Sequence, residues 1–454
     1  MDLTGKTLFI ANRGEIAVRI NHAAKALGMT VVQGHSEADA DMLAVRLADK
    51  SVELGPPAAS KSYLDVIRVV AAAKDAGADA VHPGYGFLAE NAAFAAAVEE
   101  AGMIFIGPTA DTISRMGDKV AAREAAIAAR VPTSPGSDGR IDVIDAALRV
   151  AADIGYPLMI KAAAGGGGRG IRVAEDDDSL RKLFPQAQSE AAAAFGDGGL
   201  YIERMVRDAR HVEVQILGDG SRVVHLFERE CSLQRRRQKV WEEAPAACLT
   251  DAARARVCEA SVRLAEAVNY RGAGTLEFLY DPARDAFYFM EMNTRIQVEH
   301  PVTEMITGVD LVQEMLRVAF GEPLRLTQED IAISGHSIEV RLNAEDPSNN
   351  FMPFPGVVGA MKVPENARFD TMLYEGYAIP PFYDSLLGKL IVHGVNRTAA
   401  IDALEAALDD MRIEGLKTTL PLFRALVRDP GIRNGEATTS YLETWLESHD
   451  ITTA

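Results

Sequence analysis

Gly274-Thr275-Leu276-Glu277-Phe278-Leu279-Tyr280, then Asp281-Pro282-Ala283-Arg284-Asp285, then Ala286-Phe287-Tyr288-Phe289-Met290-Glu291-Met292-Asn293-Thr294-Arg295-Ile296-Gln297-Val298-Glu299-His300-Pro301 places the charged residues Asp281, Arg284 and Asp285 between two apolar runs. Two β-branched and aromatic runs around a Pro/Asp turn predict an antiparallel hairpin. With Tyr280 paired to Ala286, Glu277 falls opposite Phe289 and diagonal to Glu291 on one sheet face. Asn293, two residues after Glu291, shares that face. Two carboxylates on one face repel each other unless something positive sits between them, and an all-oxygen set suits a hard cation such as Mg²⁺ or Mn²⁺. A solvated sheet face would also carry alternating Glu. Against that reading, Arg295, Gln297 and Glu299 continue the spacing of two. Fully extended, eight residues would span roughly 27 Å, whereas reacting atoms must meet at about 3–3.5 Å. The chain is therefore expected to curl into a loop after Asn293 and bring metal, anion-binding and base groups together.

Glu291 to Glu304, Glu-Met-Asn-Thr-Arg-Ile-Gln-Val-Glu-His-Pro-Val-Thr-Glu, resembles the signature of biotin carboxylases, members of the ATP-grasp ligase superfamily. The resemblance extends from Ala11-Asn12-Arg13-Gly14-Glu15-Ile16 to Gly415-Leu416-Lys417-Thr418. It implies an α/β (α+β) protein in three parts. These are an N-terminal parallel α/β domain over 1–117, an ATP-grasp domain over 118–320 with a mobile glycine-rich lid at about 131–205, and a β-rich C-terminal domain over 335–447.

Bulk properties agree with an ordinary soluble enzyme subunit. In 454 residues, 48% are hydrophobic and 25% charged, the proportions of a globular protein. A formal net charge of -18 argues against nonspecific binding to nucleic acid or acidic membrane surfaces. Cys231, Cys248 and Cys258 are too irregularly spaced for a disulfide framework or a zinc site. No basic segment leads into an apolar run near Asp2 and Thr4, and no window is apolar enough to span a membrane. A cytoplasmic location is expected.

Along the chain, strand–helix alternation through Lys6–Ala11, Thr30–Val32, Ala80–His82 and Ile104–Ile106 predicts a parallel α/β domain to about residue 115. The first strand-loop-helix lacks dinucleotide glycines, so a NAD site is not expected. The loop His82 to Asn91 follows a strand, where open α/β sheets place ligand loops. The family resemblance puts this loop, with Tyr85, near the bicarbonate and biotin end of the site. A helix is expected over Met116–Arg130. Tyr156 to Lys161 then reads as a strand ending in lysine, followed by Ala164-Gly165-Gly166-Gly167-Gly168-Arg169-Gly170 and a second strand at Ile171–Val173. G-x-G-x-x-G is satisfied literally, but a strand follows instead of a helix, and no P-loop is present. A glycine hairpin beside Lys161 fits a flap whose backbone N–H groups, Gly167 and Gly168 among them, cover ATP phosphates.

Tyr201 to Val206 reads as a strand whose backbone edge, at Glu203, Arg204, Met205 and Val206, would read adenine as in ATP-grasp proteins. Arg210-His211-Val212-Glu213-Val214-Gln215 alternates polar and apolar residues, a half-buried strand, and the resemblance makes His211 a nucleotide contact. Gln234-Arg235-Arg236-Arg237-Gln238-Lys239 concentrates positive charge in an acidic chain. A solvated loop would carry the same charges, but a triphosphate and bicarbonate need such a cluster; the resemblance implies Gln234 as a nucleotide contact and Lys239 as a bicarbonate or phosphate ligand. A helix is expected from Leu311 to Phe320, a strand from His336, which resembles the family segment whose arginine, here Arg341, meets biotin, and a final helical stretch from Ala399 to Met411.

The implied reaction is ATP-dependent carboxylation of biotin with bicarbonate through carboxyphosphate. Glu277, Glu291 and Asn293 would hold the metal, and Lys119 and Lys161 would help with ATP. Arg295, Gln297 and the Val298 N–H would hold bicarbonate, Glu299 would deprotonate it, and Arg341 would stabilise the enolate-like biotin. Implied partners are a biotin carboxyl carrier protein and carboxyltransferase subunits, with a homodimer expected. Ala360-Met361-Lys362-Val363 resembles the tetrapeptide that carries biotin, but no carrier module surrounds it, so the biotin is expected on another polypeptide. The sequence departs from the family at Ala164, at Arg237 where histidine is common, and at Glu365, which precedes Arg368 where some dimers use an aromatic residue. Alternatives are another ATP-grasp ligase, such as a carbamoyl phosphate synthase half, or a nucleotide-binding regulatory subunit without turnover.

Overall fold

Short apolar runs separated by amphipathic helices build a five-stranded parallel sheet at the start of the chain. Its strands are β1 (Thr7–Ile10), β2 (Thr30–Ser36), β3 (Lys50–Gly55), β4 (Ala80–His82) and β5 (Ile104–Phe105), in the order β3-β2-β1-β4-β5. Phe9, Val32, Val81 and Phe105 pack on one face with Phe94. Leu8, Ile10 and Val31 pack on the other, against Ile16 and Ile20 of the helix Gly14–Ala26. Strand order reverses between β1 and β4, where such sheets open a ligand crevice. There Asn12 Nδ2 donates to the carbonyls of Pro83 (2.6 Å) and Tyr85 (2.8 Å), tying the two loops together. Gly84 has φ +64°, and a Cβ on it would stand 2.8 Å from Asn12 Nδ2, so glycine is what lets this loop close.

The computed structural model describes residues 2–162, 172–195, 197–449 and 451. Two compact units emerge. One comprises Met1–Val131, Arg210–Phe278 and Glu291–Ala454; the other Pro132–Ala209 and Leu279–Met290. The second unit contains a three-stranded antiparallel sheet, β6 (Leu158–Ala162), β7 (Arg172–Ala174) and β8 (Leu200–Arg204), ordered β7-β6-β8. Helices Ile144–Ile154 and Asp177–Phe195 cover it through Ala147, Ala151, Leu180 and Phe184. The expected flap loop, with Gly167 and Gly168, lies outside the described residues.

The larger unit is organised by an eight-stranded sheet. Its members include β9 (Arg210–Asp219), β10 (Val223–Arg235), β11 (Gln238–Ala244), β12 (Arg271–Asp281), β13 (Ala286–Asn293) and β14 (His336–Asn343), ordered β13-β12-β9-β10-β11-β14 and completed by Leu386–Gly394 and Arg368–Thr371. The turn end of the β12–β13 hairpin belongs to the second unit. The β11–β14 ladder sets Glu242 against Glu339, and β14 sets Arg341 against Lys389. One helix was expected over Met116–Arg130. The structure instead has Ala110–Gly117 and Lys119–Ala128, because the Asp118 carboxylate caps the second by accepting from the N–H groups of Val120 (2.9 Å) and Ala121 (2.8 Å). Among the described residues, no helix is long and apolar enough to cross a membrane.

Candidate active site

Strand pairing brings the carboxylate of Glu277 on β12 to Asn293 at the end of β13, and Asn293 Nδ2 donates to Glu277 Oε1 at 2.9 Å. Beyond Asn293 the chain leaves the sheet in a bend and a turn before entering the helix His300–Thr307. This is the expected loop. Within it, Gln297 Nε2 donates to the same Glu277 oxygen at 2.8 Å. Arg295 is half-buried; its guanidinium donates to Glu90 Oε2 (2.8 Å) and Asn293 Oδ1 (2.9 Å). Glu90 also accepts from the Thr294 N–H at 3.2 Å, so the β4 loop fixes both the start of this segment and its arginine.

Lys239 on β11 is the hub. Its ammonium donates to Glu213 at 2.5 Å, Glu277 at 2.8 Å and Glu299 at 2.7 Å. Burial alone would pull the Lys239 pKa down, but the three carboxylates outweigh it and hold the amine protonated. Glu299 is 2% exposed. Its other oxygen accepts from Arg341 at 2.9 Å, and Arg341 also pairs with Glu242 at 2.6 Å. Desolvation opposes ionisation of Glu299, yet Lys239, Arg341 and Arg229 keep its pKa below the ordinary carboxylate value. Glu242 goes the other way, pushed up to about 7 by burial and the charge of Glu299 despite Arg341.

His211 Nε2 lies 3.2 Å from Glu277 Oε2, and the imidazole pKa rises to about 9 because Glu277 outweighs its burial. Gln234 Nε2 reaches His211 Nδ1 at 3.1 Å and the Cys231 carbonyl at 2.9 Å. Beneath them Arg229, fully buried, donates to Glu213 (2.7 Å), Gln215 (2.6 Å), Gln297 (2.8 Å), Thr303 (2.9 Å) and Thr275 (3.2 Å). Such a mosaic of buried opposite charges stabilises a fold little, but it holds dipoles in place before any substrate arrives.

Glu291 is exposed, and its pKa is raised by desolvation and then by the charge of Glu277, with Lys119 partly offsetting. The charge of Glu277 raises the proton affinity of Glu291, an environment a divalent cation would relieve, and the ligating atoms of Glu277, Glu291 and Asn293 are all oxygen. Among the described residues, acidic clusters with ligand atoms within 4.8 Å of one another are His211/Glu213/Glu277 and Glu213/Cys231/Glu299. Glu291 belongs to neither. Lys239 already neutralises the carboxylates of both tight clusters.

Tyr85 donates its hydroxyl to the buried Glu15, and Val298 offers its carbonyl to Lys389 at 2.6 Å. In the second unit, Lys161 forms an ion pair with Glu203. The N–H groups of Arg204 and Met205, expected at the adenine edge, are engaged by the carbonyls of Pro135 (2.8 Å) and Pro157 (2.9 Å), and the Arg204 side chain donates to the Ile154 carbonyl. Contacts from these two residues to a base would therefore go through other atoms. Val206 is buried against Ala209 and Tyr288.

Sequence reading missed Glu90, Glu213, Arg229, Glu242 and Lys389. Glu213 lies in the polar/apolar alternation of Arg210 to Gln215, which was its signal, but that strand is buried on both faces instead of half-buried as expected, because its polar side chains face Arg229, Lys239 and Gly274 instead of solvent. Arg229 and Lys389 lie inside continuous strands with no local mark.

The chain matches known families along most of its length. Residues 4–113 match the family "Biotin carboxylase, N-terminal domain", residues 118–327 "Carbamoyl-phosphate synthase L chain, ATP binding domain", and residues 339–444 "Biotin carboxylase C-terminal domain". The chain is 50% identical over 443 residues to biotin carboxylase 1 of Bacillus subtilis, covering 97% of this chain and 98% of that protein. The biotin carboxylase domain of a thermophilic 2-oxoglutarate carboxylase bound to bicarbonate superposes with a TM-score of 0.93 at 43% identity, covering 98% of this chain and 99% of that one. The corresponding dimer from Hydrogenobacter thermophilus, in complex with MgADP, ADP and bicarbonate, gives a TM-score of 0.87 at 45% identity, covering 98% and 99%.

Proposed function

This chain belongs to the biotin carboxylase family, and on that premise we propose which of its residues perform each step of the reaction. It is an ATP-dependent ligase that carboxylates biotin with bicarbonate and uses ATP with Mg²⁺. The observation that carries the assignment is the ionised, buried Glu299 held between Lys239 and Arg341.

Bicarbonate is a poor electrophile, so it must be activated by phosphorylation. Arg295, Gln297 and the Val298 N–H bind and orient it, with Lys239 neutralising charge. Glu299 takes its proton as the bicarbonate oxygen attacks the γ-phosphorus of ATP and ADP leaves. The carboxyphosphate formed breaks into CO₂ and phosphate. The released phosphate takes the ureido N–H proton of biotin, Arg341 stabilises the negative oxygen that results as the nitrogen captures CO₂, and Tyr85 lines the biotin end. Glu277, Glu291 and Asn293 would hold the metal, which supplies charge neutralisation on the ATP phosphates. Lys119, Lys161, Gly167, Gly168, Glu203, Arg204, Met205, Val206, His211 and Gln234 are assigned to nucleotide binding. The proposed domains are an N-terminal domain over 1–117, an ATP-grasp domain over 118–320 and a C-terminal domain over 335–447.

The biotin is proposed to arrive on a separate carrier protein, with carboxyltransferase subunits completing an acyl-CoA carboxylase, as a homodimer in the cytoplasm. Lys362 supports the separate carrier: it lies in a two-residue strand paired with Arg412–Ile413 and is bound by Asp410, unlike a lysine displayed at a turn. The test is ATP cleavage that requires bicarbonate and is stimulated by biotin. ATP cleavage indifferent to bicarbonate would overturn the reading.

A further inference from the structure

We propose that His300 and Lys389 are positioning residues that aim the Val298 N–H and the Glu299 side chain at bicarbonate. The inference rests on the anion-binding role given above to Val298 and Glu299. Both residues are completely buried, and each grips a carbonyl of the same short turn. His300 Nδ1 lies 2.8 Å from the Gln297 oxygen, which also accepts the His300 backbone N–H at 3.3 Å. Lys389 Nζ donates to the next carbonyl, Val298, at 2.6 Å.

A trans peptide is planar, with its C=O and N–H on opposite sides. Pinning the Gln297 oxygen therefore fixes the direction of the Val298 N–H. Pinning the Val298 oxygen fixes the following plane, and with it the point from which the Glu299 side chain leaves the backbone. Both turn carbonyls face the protein interior, so the opposite edge of each plane is turned away from these anchors.

The chemistry of the anchors supports this. Burial, with the positive charges of Lys389, Arg19 and Arg368, keeps His300 neutral, so a bond to a carbonyl needs the proton on Nδ1. An ammonium buried without exposure is costly, and an apolar side chain would fill the same space. Lys389 is compensated by Glu15 Oε1 at 3.3 Å, and it faces Arg341 on β14 and Asp370 on the outer strand. Glu15 in turn accepts from Tyr85. The turn is thus tied through Lys389 to the β14 neighbour that carries Arg341 and, through Glu15, to the Tyr85 loop.

The test compares His300→Leu, His300→Asn and Lys389→Met in the full-length enzyme, by steady-state ATP cleavage with bicarbonate and ATP varied separately. Asn can place an N–H donor where Nδ1 sits; Leu and Met cannot donate. Loss of either anchor should raise the bicarbonate KM or lower kcat by about 10²-fold, with the ATP KM within twofold, and His300→Asn should restore most of the loss. If His300→Leu does not fold, His300→Asn and Lys389→Met carry the decision. Unchanged bicarbonate kinetics in Lys389→Met, ATP and bicarbonate KM rising together, or an Asn variant as impaired as Leu would each overturn the inference while the unsubstituted enzyme still required bicarbonate. An unsubstituted enzyme without bicarbonate dependence would overturn the catalytic reading first, and this one with it.

Discussion

Lys239 Nζ stands 2.7 Å from Glu299 Oε1 and 2.8 Å from Glu277 Oε1, so one ammonium joins the proposed base to a proposed metal ligand. Replacing it with methionine would leave Glu213, Glu277 and Glu299 facing one another without their shared counter-charge. Removing one partner of a buried ion pair costs about 3–5 kcal/mol. Lys239→Met should lower unfolding free energy in urea by that order and reduce bicarbonate-dependent ATP cleavage by at least about 10²-fold. A variant of normal stability and activity would show that the hub is dispensable.

Glu299→Gln keeps the size of the side chain but cannot accept a proton, and its single oxygen can accept from only one of Lys239 and Arg341. Bicarbonate-dependent cleavage should fall by about 10²–10⁴-fold with nucleotide binding little altered. Arg295→Ala should cost about 10²–10³-fold and also raise the bicarbonate requirement. Near-normal cleavage in Glu299→Gln would reduce Glu299 to a structural partner of Lys239 and Arg341.

Metal dependence tests Glu291 separately from its neighbours, because Glu291 is exposed whereas Glu277 and Asn293 are buried. Glu291→Ala should abolish turnover and leave thermal stability nearly unchanged, and excess chelator should do the same to the unsubstituted enzyme. Full activity in chelator would refute the assignment.

The fold should weaken in acid in two stages. Buried His82 accepts the Gly84 N–H at 3.0 Å through Nδ1; burial and then the Arg19 charge depress its pKa to about 3, while burial brings His225 to about 4. Both imidazoles recover a value of 6.5 on unfolding. The unfolded chain therefore binds more protons below pH 6.5, so their contribution is full above that pH and falls as pH drops towards 3. Glu243 has its pKa lowered to about 2; burial acts upward, but His336 and Arg397 outweigh it. Its contribution is present above 4.5 and lost between 4.5 and 2. Unfolding free energy should decline below pH 6.5 by up to about 1.4 kcal/mol per pH unit for each histidine, then more steeply below 4.5. His82→Asn should flatten the first stage; if it does not, His82 is not its source.

Mass spectrometry of the protein purified from cells with an active biotin ligase should show Lys362 unmodified. A biotin adduct there would replace the separate carrier with self-carboxylation.

The hairpin and curled loop were readable because Glu277, Glu291, Asn293, Arg295, Gln297 and Glu299 fall within one continuous stretch with a regular spacing. Alternation in that stretch is a local signal, and turn chemistry fixed its limits. Arg229, Glu242 and Lys389 were not readable for the opposite reason. Each works only through strands far away in sequence, and each sits in a run whose neighbours are also buried, so no period marks it. The split at Asp118 was missed because a cap residue inside a helical pattern looks like any exposed aspartate until its side chain is seen on the next N–H groups.

The β11–β14 ladder has a consequence for how this chain can be divided. Cutting between residues 320 and 335 would separate an ATP-binding half from a C-terminal half, but it would also strip β11 of the neighbour that pairs Trp241 through Ala244 with Val340 through Ser337. The first fragment would end in a bare strand edge carrying a large aromatic ring and two carboxyl groups that no longer have Arg341 or His336 to meet. Open edges of that kind recruit other chains, so the fragments are fit for co-expression as a reassembling pair and poorly suited to isolation one at a time.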